Sequence, residues 1–140
     1  MQQYRQSQWR RNARYGLAQA LEKQMRYPQA IGEYSQLLPK ADQKNVRLDK
    51  WMVQARYQMG ECYFNLRKYD KAMAEFVSVD TNAQGYPDWQ AKSVFEIGRV
   101  LLAQKKREDA VERFKEVITR FGKQKAAIAA RQILEQLRSG

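Results

Sequence analysis

Apolar residues recur along this chain at the three-and-four spacing of an α-helix. Leu17, Ala18, Leu21 and Met25 form one stripe, and Ala55, Met59, Cys62, Tyr63 and Leu66 a second. Val94, Ile97, Gly98 and Leu101 form a third, and Ala110, Phe114, Val117 and Phe121 a fourth. Such a stripe occupies one face of a helix and has to be covered by another element. The interruptions carry turn chemistry. Pro28 suits a first helical turn, where its missing N–H has no partner anyway, and Pro39 closes the same helix. Asn82 to Pro87 is the clearest loop, Asp88 suits a helix start, and Gly122 suits a helix stop. The spacing predicts seven helices, at about 6–26, 28–39, 46–67, 69–80, 88–105, 107–121 and 124–138. Very tight joints near 27, 68 and 106 make each adjacent pair an antiparallel hairpin.

The hairpins repeat. Aligned on Ala30, Ala72 and Ala110, the position twelve residues earlier is Ala18, Gly60 and Gly98, always small. Four positions later stand Tyr34, Phe76 and Phe114, always aromatic. Nine earlier stand Leu21, Tyr63 and Leu101, and thirteen earlier Leu17, Met59 and Ile97. A small residue on each helix lets the two approach closely, and the large residues fill the space beside the crossing. One hairpin cannot bury its apolar face alone, so the units must stack into a solenoid.

This alternation of small and large positions resembles the tetratricopeptide repeat. Two stretches carry the resemblance best: Met59 to Phe64 with Tyr69 to Phe76, and Ile97 to Leu101 with Ala110 to Phe114. The unit from Leu17-Ala18 through Ala30 to Tyr34 matches less closely. The anchor alanines lie 42 and 38 residues apart, beyond the standard repeat of about 34. The extra length falls at 40–47 and 81–88, and Gly122 stands where the family usually places Pro. Longer units of this kind are similar to the tetratricopeptide domains of bacterial cell-envelope proteins such as the Tol–Pal-associated periplasmic protein.

The resemblance implies an all-α fold: a right-handed superhelical solenoid of about three helical hairpins over residues 11–140. The helix carrying Ala126, Ala130, Ile133, Leu134 and Leu137 would cap it, and residues 1–10 would be a polar, basic extension of the first helix. It further implies a scaffold that holds a protein or peptide ligand in a concave groove lined by the first helix of each hairpin. The family's groove positions fall on Asn12, Tyr15 and Gln19 in the first unit. In the second they fall on Gln54, Tyr57, Gln58, Glu61, Phe64 and Asn65, and in the third on Lys92, Phe95, Glu96, Arg99 and Leu102. Tyr15, Tyr57 and Phe95 share one column, and rigid aromatics of this kind make good peptide anchors. Because that column holds lysine in relatives that clamp a C-terminal carboxylate, no such clamp is expected here.

Composition narrows the chemistry. The chain has 140 residues, no histidine and one cysteine, Cys62, which excludes a His base, a Ser-His-Asp arrangement, a His/Cys zinc site and an internal disulfide. Cys62 reads as a small core residue. The carboxylate pairs Glu108/Asp109 and Glu112/Glu116 are interleaved with Arg113, Lys115 and Arg120, as on a solvated, salt-bridged face. No cofactor, metal site or catalytic residue is expected, and the chain reads as a non-enzyme.

Charge supplies the rival readings. The formal charge is +11, of which residues 1–28 supply +5 and residues 123–140 supply +3, leaving the predicted groove units close to neutral. Arg5, Arg10, Arg11 and Arg14 with Trp9 and Tyr15 could bind nucleic acid or an anionic surface. That reading ranks below the groove, because a solvated polar helix has the same composition. Self-association through the end hairpins is a third reading. The longest apolar run, Ala126 to Ala130, is far short of a membrane span, and Met1 to Arg14 does not read as a leader. The expected location is cytoplasmic for the chain as it stands, and periplasmic or cell-envelope for a piece of a longer protein.

Overall fold

The computed structural model describes residues 2–39 and 47–139. Seven α-helices occupy them, with no strand among the described residues: α1 Gln2–Lys23, α2 Tyr27–Ser35, α3 Lys50–Asn65, α4 Tyr69–Asn82, α5 Pro87–Ala103, α6 Arg107–Phe121 and α7 Lys125–Ser139.

The three tight joints use one device. At the end of α1 the Arg26 N–H donates to the Leu21 carbonyl and the Met25 N–H to the Glu22 carbonyl. Lys68 to Tyr63 with Arg67 to Phe64, and Lys106 to Leu101 with Lys105 to Leu102, repeat the pair. This Schellman arrangement places the residue after the helix in the left-handed region. Met25, Arg67 and Lys105 accordingly have φ of 62°, 61° and 62°. Each following residue hands its carbonyl to an anchor alanine: Ala30, Ala72 and Ala110 donate to Arg26, Lys68 and Lys106 at 3.0 Å. The sequence register of the second helices therefore starts from the turn.

Within a hairpin the small column is a contact surface. A Cβ added to Gly60 would lie 2.6 Å from the Phe76 ring, and one added to Gly98 would lie 2.5 Å from the Phe114 ring. Unit one achieves the same closure with Ala18 and Tyr34, both fully buried. Between hairpins, contacts run only to neighbours: α2 packs on α3, α4 on α5 and α6 on α7, with no packing of α1 or α2 on α5 or α6. That one-dimensional contact order is the mark of a solenoid. The first helices also approach one another in series, α1 to α3, α3 to α5 and α5 to α7, whereas the backbones of α2, α4 and α6 stay apart, α6 reaching α4 through the Arg120–Asp80 ion pair. Helices that meet along a stacked array lie on its inner side, so α1, α3, α5 and α7 form the concave wall.

Several boundaries differ from the predicted ones for identifiable reasons. α1 begins at Gln2, so the expected basic extension is continuous with the helix, and the Schellman turn ends α1 at Lys23. α2 stops at Ser35, well before Pro39, as Gln36, Leu37 and Leu38 tighten into bonds three residues back. α3 starts at Lys50 because the Asp49 side chain caps it, accepting from the Met52 N–H at 3.0 Å; residue 46, the predicted start, lies outside the described residues. α4 runs to Asn82 and shortens the expected loop to residues 83–86. Gly122 has a φ of −56°, so it is not a left-handed stop; its lack of a side chain clears the Ile118 carbonyl, 3.0 Å from where a Cβ would sit.

The described parts of the two long links clasp each other. The Leu48 N–H donates to the Asn82 carbonyl at 3.3 Å and Arg47 to the Gln84 carbonyl at 2.9 Å. Beneath them Leu48, Val53, Val79 and Ala83 form a small separate core. Gly85 completes the turn at a φ of 90°, which favours glycine there.

Candidate functional site

The concave wall is built from positions on α1, α3 and α5 that face away from the hairpin crossings. Three of its rings are held by the core beneath. Tyr15 lies edge-on to Tyr34 at 5.6 Å, Tyr57 edge-on to Phe76 at 5.6 Å, and Phe95 tilted on Phe114 at 5.3 Å. The aromatic column is thus inter-helix packing in every unit. Tyr15 is buried, while Tyr57 and Phe95 keep one half-exposed side. A tryptophan of the next hairpin covers the first two: Trp51 on Tyr15 at 5.6 Å and Trp89 on Tyr57 at 5.3 Å.

Beside these rings runs a chain of polar groups that crosses the units. Glu22 accepts from the Tyr34 hydroxyl at 2.7 Å. The Gln58 amide faces the same carboxylate, and its nitrogen, in the orientation that satisfies both groups, donates to the two oxygens at 3.2 Å. Further along, Glu61 on α3 lies close enough to Glu96 on α5 to feel its carboxyl. Burial, with the neighbouring Glu96 carboxyl adding to it, pushes Glu61 well above the usual carboxylate range, against the opposing pull of Arg99. Glu61 Oε1 is buried with no hydrogen-bond partner. Arg99 donates to Glu96 at 2.9 Å and lies 5.0 Å over the Phe64 ring, which itself meets Tyr69 edge-on.

Burial raises Tyr57 as well, with the Glu96 and Glu61 charges adding to it, so its hydroxyl stays protonated. Burial likewise raises Glu22, opposed by the Tyr34 hydrogen bond, and it raises Tyr15, with the Glu22 charge adding and a Gln58 hydrogen bond opposing. The Cys62 thiol is buried and pushed up to about 12, chiefly by that burial, so it behaves as a small hydrophobe.

Of the predicted groove residues, Tyr57, Glu61, Phe64, Glu96 and Arg99 come together at the seam of α3 and α5. Gln58 instead belongs with Glu22 at the seam of α1 and α3. Phe95 and the half-buried Gln54 and Leu102 flank the seam region, and Asn12, Gln19 and Asn65 are exposed. Lys92 is exposed and lies 4.6 Å over the Trp89 ring. Trp51, Trp89 and Glu22 are wall residues that the projected groove positions leave out; the 42- and 38-residue periods applied to Trp9 find both tryptophans.

The basic residues of α1 are partly engaged within the fold. Arg11 donates to both Asp49 oxygens at 2.7 and 2.8 Å, and Arg14 to Glu33 at 2.7 Å. On α6 the expected salt-bridged face is present: Arg113 and Arg120 pair with Glu116, Lys115 with Glu112, and Arg120 also reaches Asp80 on α4. Among the described residues no group of three or more His, Cys, Asp or Glu side chains could hold a metal ion, and no helix is long and apolar enough to cross a membrane.

Residues 54–79 and 92–123 match the family model described as tetratricopeptide repeat. The two matches cover most of the α3/α4 and α5/α6 hairpins, which meet at the Glu61–Glu96 seam. These two segments are thus similar to tetratricopeptide repeats, and the described residues form an all-α, tetratricopeptide-like helical solenoid. Comparison with curated proteins returns no match, and nothing in these results points to the Tol–Pal-associated protein.

Proposed function

We propose, from the two tetratricopeptide-like hairpins that meet at this wall, that the chain is a non-catalytic scaffold for protein–protein interaction. A partner's extended or helical segment lies along the inner wall of α3 and α5, against Tyr57, Phe64, Phe95 and Arg99. The observation that carries the reading is the composition of that seam. It sets two half-exposed aromatic faces beside Glu61, Glu96 and Arg99, which combines apolar anchoring with charged groups that select orientation.

The test is peptide selection on the full chain, followed by titration of the selected peptides against Phe64→Ala and Arg99→Ala. Arg99 keeps 41% of its side chain exposed and Phe64 is not seated on Phe76 or Phe114 as Tyr57 and Phe95 are, so their removal tests contact in preference to folding. Loss of about tenfold or more in affinity for either variant supports the groove. Peptides held equally by both variants refute it.

The same reading places the scaffold in a bacterial cell-envelope assembly, supported by the long 42- and 38-residue spacing alone; fractionation of the source cells checks it. Binding of nucleic acid or an anionic surface through Arg10, Arg11 and Arg14 ranks lower, because Arg11 and Arg14 already pair with Asp49 and Glu33. A salt titration with single-stranded RNA decides it, since affinity gained by counterion release falls steeply with ionic strength.

A further inference from the structure

All three tryptophans stand nine residues before the small residue of a hairpin: Trp9 before Ala18, Trp51 before Gly60 and Trp89 before Gly98. Trp51 and Trp89 do the same work, each covering the aromatic ring of the preceding unit, Tyr15 or Tyr57. Around each lies the rest of a docking face. On α3 that face is Ala55, Met59 and Cys62, and on α5 it is Ser93, Ile97 and Val100, all of them buried against the hairpin before. On α1 the same columns hold Ala13, Leu17 and Ala20, and all three are exposed. Leu17 is 50% exposed where Met59 is 5% and Ile97 1%, and Trp9 is 72% exposed. Nothing lies within 4 Å of a Cβ built on Gly16, in the middle of this face. Trp9, Ala13, Gly16, Leu17 and Ala20 thus form one complete half of an interface that the chain builds twice elsewhere.

We infer that this face of α1 is a docking site for a partner's helical hairpin of the same build, one that presents an aromatic ring in the column of Tyr15 and Tyr57. Continuity with the two formed interfaces argues for that occupant. A second copy of this chain does not supply it. The end that would be complementary is covered by α7, which buries Ala127 and Ala130 and turns Gln132, Glu135, Gln136 and Ser139 outward. Arg10 and Lys23, both exposed, border the face, so an acidic rim on the incoming hairpin matches it.

The probe is a lengthened chain in which residues 9–50, one 42-residue period, occur twice in succession. The second Trp9 then follows a hairpin of the required build. With every other tryptophan changed to Phe, in the lengthened and the native-length chain alike, that residue alone emits. The expected result is a shift of emission to shorter wavelength and a fall of about threefold or more in acrylamide quenching, since docking excludes water from the ring. Leu17→Glu in the second copy is expected to restore the quenching. Quenching equal to that of the native-length chain overturns the proposal. So does an added period that contributes no helical circular dichroism, because its own hairpin already folds in the native chain. Sedimentation showing the native chain to be a dimer that Trp9→Ala dissociates gives the face to a second copy and overturns it as well.

Discussion

The Phe76 ring occupies the place where a side chain on Gly60 would begin. An added Cβ would sit 2.6 Å from the ring, well inside contact distance, and the hairpin closes only because that atom is missing. Gly98 and Phe114 repeat the relationship one unit on. Gly60→Ala is therefore expected to lower stability by about 1–3 kcal/mol, the usual cost of overpacking a filled core. Urea unfolding measures it. Phe76→Leu in the Gly60→Ala background is expected to cost less than in the native chain, and additive losses would show that the two positions do not couple.

The left-handed joints predict a gain. Arg67 and Lys105 hold φ near 61° and 62°, a region that costs a non-glycine residue energy and that glycine enters freely. Each change to glycine is expected to stabilise the chain by about 0.5–1 kcal/mol, net of the glycine's larger unfolded-state entropy. A raised thermal midpoint for both single variants checks this, and a drop would mean the side chains contribute contacts beyond the turn.

The raised Glu61 carboxyl makes stability depend on pH, and the sign follows from the direction of its shift. Glu61 is raised when folded, chiefly by burial, and Glu96 and Arg99 from α5, Glu22 from α1 and Tyr57 from α3 are the groups around it. A group raised in the folded state contributes most below its unfolded pKa, about 4.3 for Glu, and that contribution is lost as pH rises towards the folded value. The native chain is expected to lose stability from mildly acidic to alkaline pH. Glu22 and Glu75, raised chiefly by burial, act in the same sense. Glu61→Gln should flatten the profile and exceed the native thermal midpoint at alkaline pH. Parallel profiles for the two chains would remove Glu61 as the source.

Asp49 serves two elements at once. One oxygen caps α3 at the Met52 N–H, and both oxygens receive Arg11 of α1. Asp49→Ala is expected to cost about 1–2 kcal/mol, the upper part of the range for a lost helix cap. Arg11→Ala removes only the ion pair, which is partly exposed, and should cost about 1 kcal/mol or less. Equal losses from the two variants in thermal unfolding would contradict this division.

Much of the array was legible in the chain because the repeat writes itself as columns. The stripes Ala55–Leu66 and Ala110–Phe121 announce helices that need cover. The small column of Ala18, Gly60 and Gly98 facing Tyr34, Phe76 and Phe114 announces the hairpin crossing, and Ala30, Ala72 and Ala110 mark the second helices. These are local or nearest-neighbour relations, and a solenoid has few others.

What the columns did not reveal are contacts made across the stacking direction. Tyr15, Tyr57 and Phe95 read alike as groove aromatics, yet only packing shows that each is seated on a core ring and that Tyr15 is covered by Trp51. The turns at Met25, Arg67 and Lys105 carry no glycine, so their backbone geometry emerges only from the hydrogen bonds that close them. Glu61 and Glu96 lie 35 residues apart and meet only when α3 packs beside α5. The sequence by itself determined the helices, the hairpins and their repeat, since side-chain periodicity and size act locally. Tertiary structure alone decided which groove residues are buried, which carboxyl has its pKa pushed up and which tryptophan is left exposed, because burial and electrostatics depend on what the neighbouring unit brings.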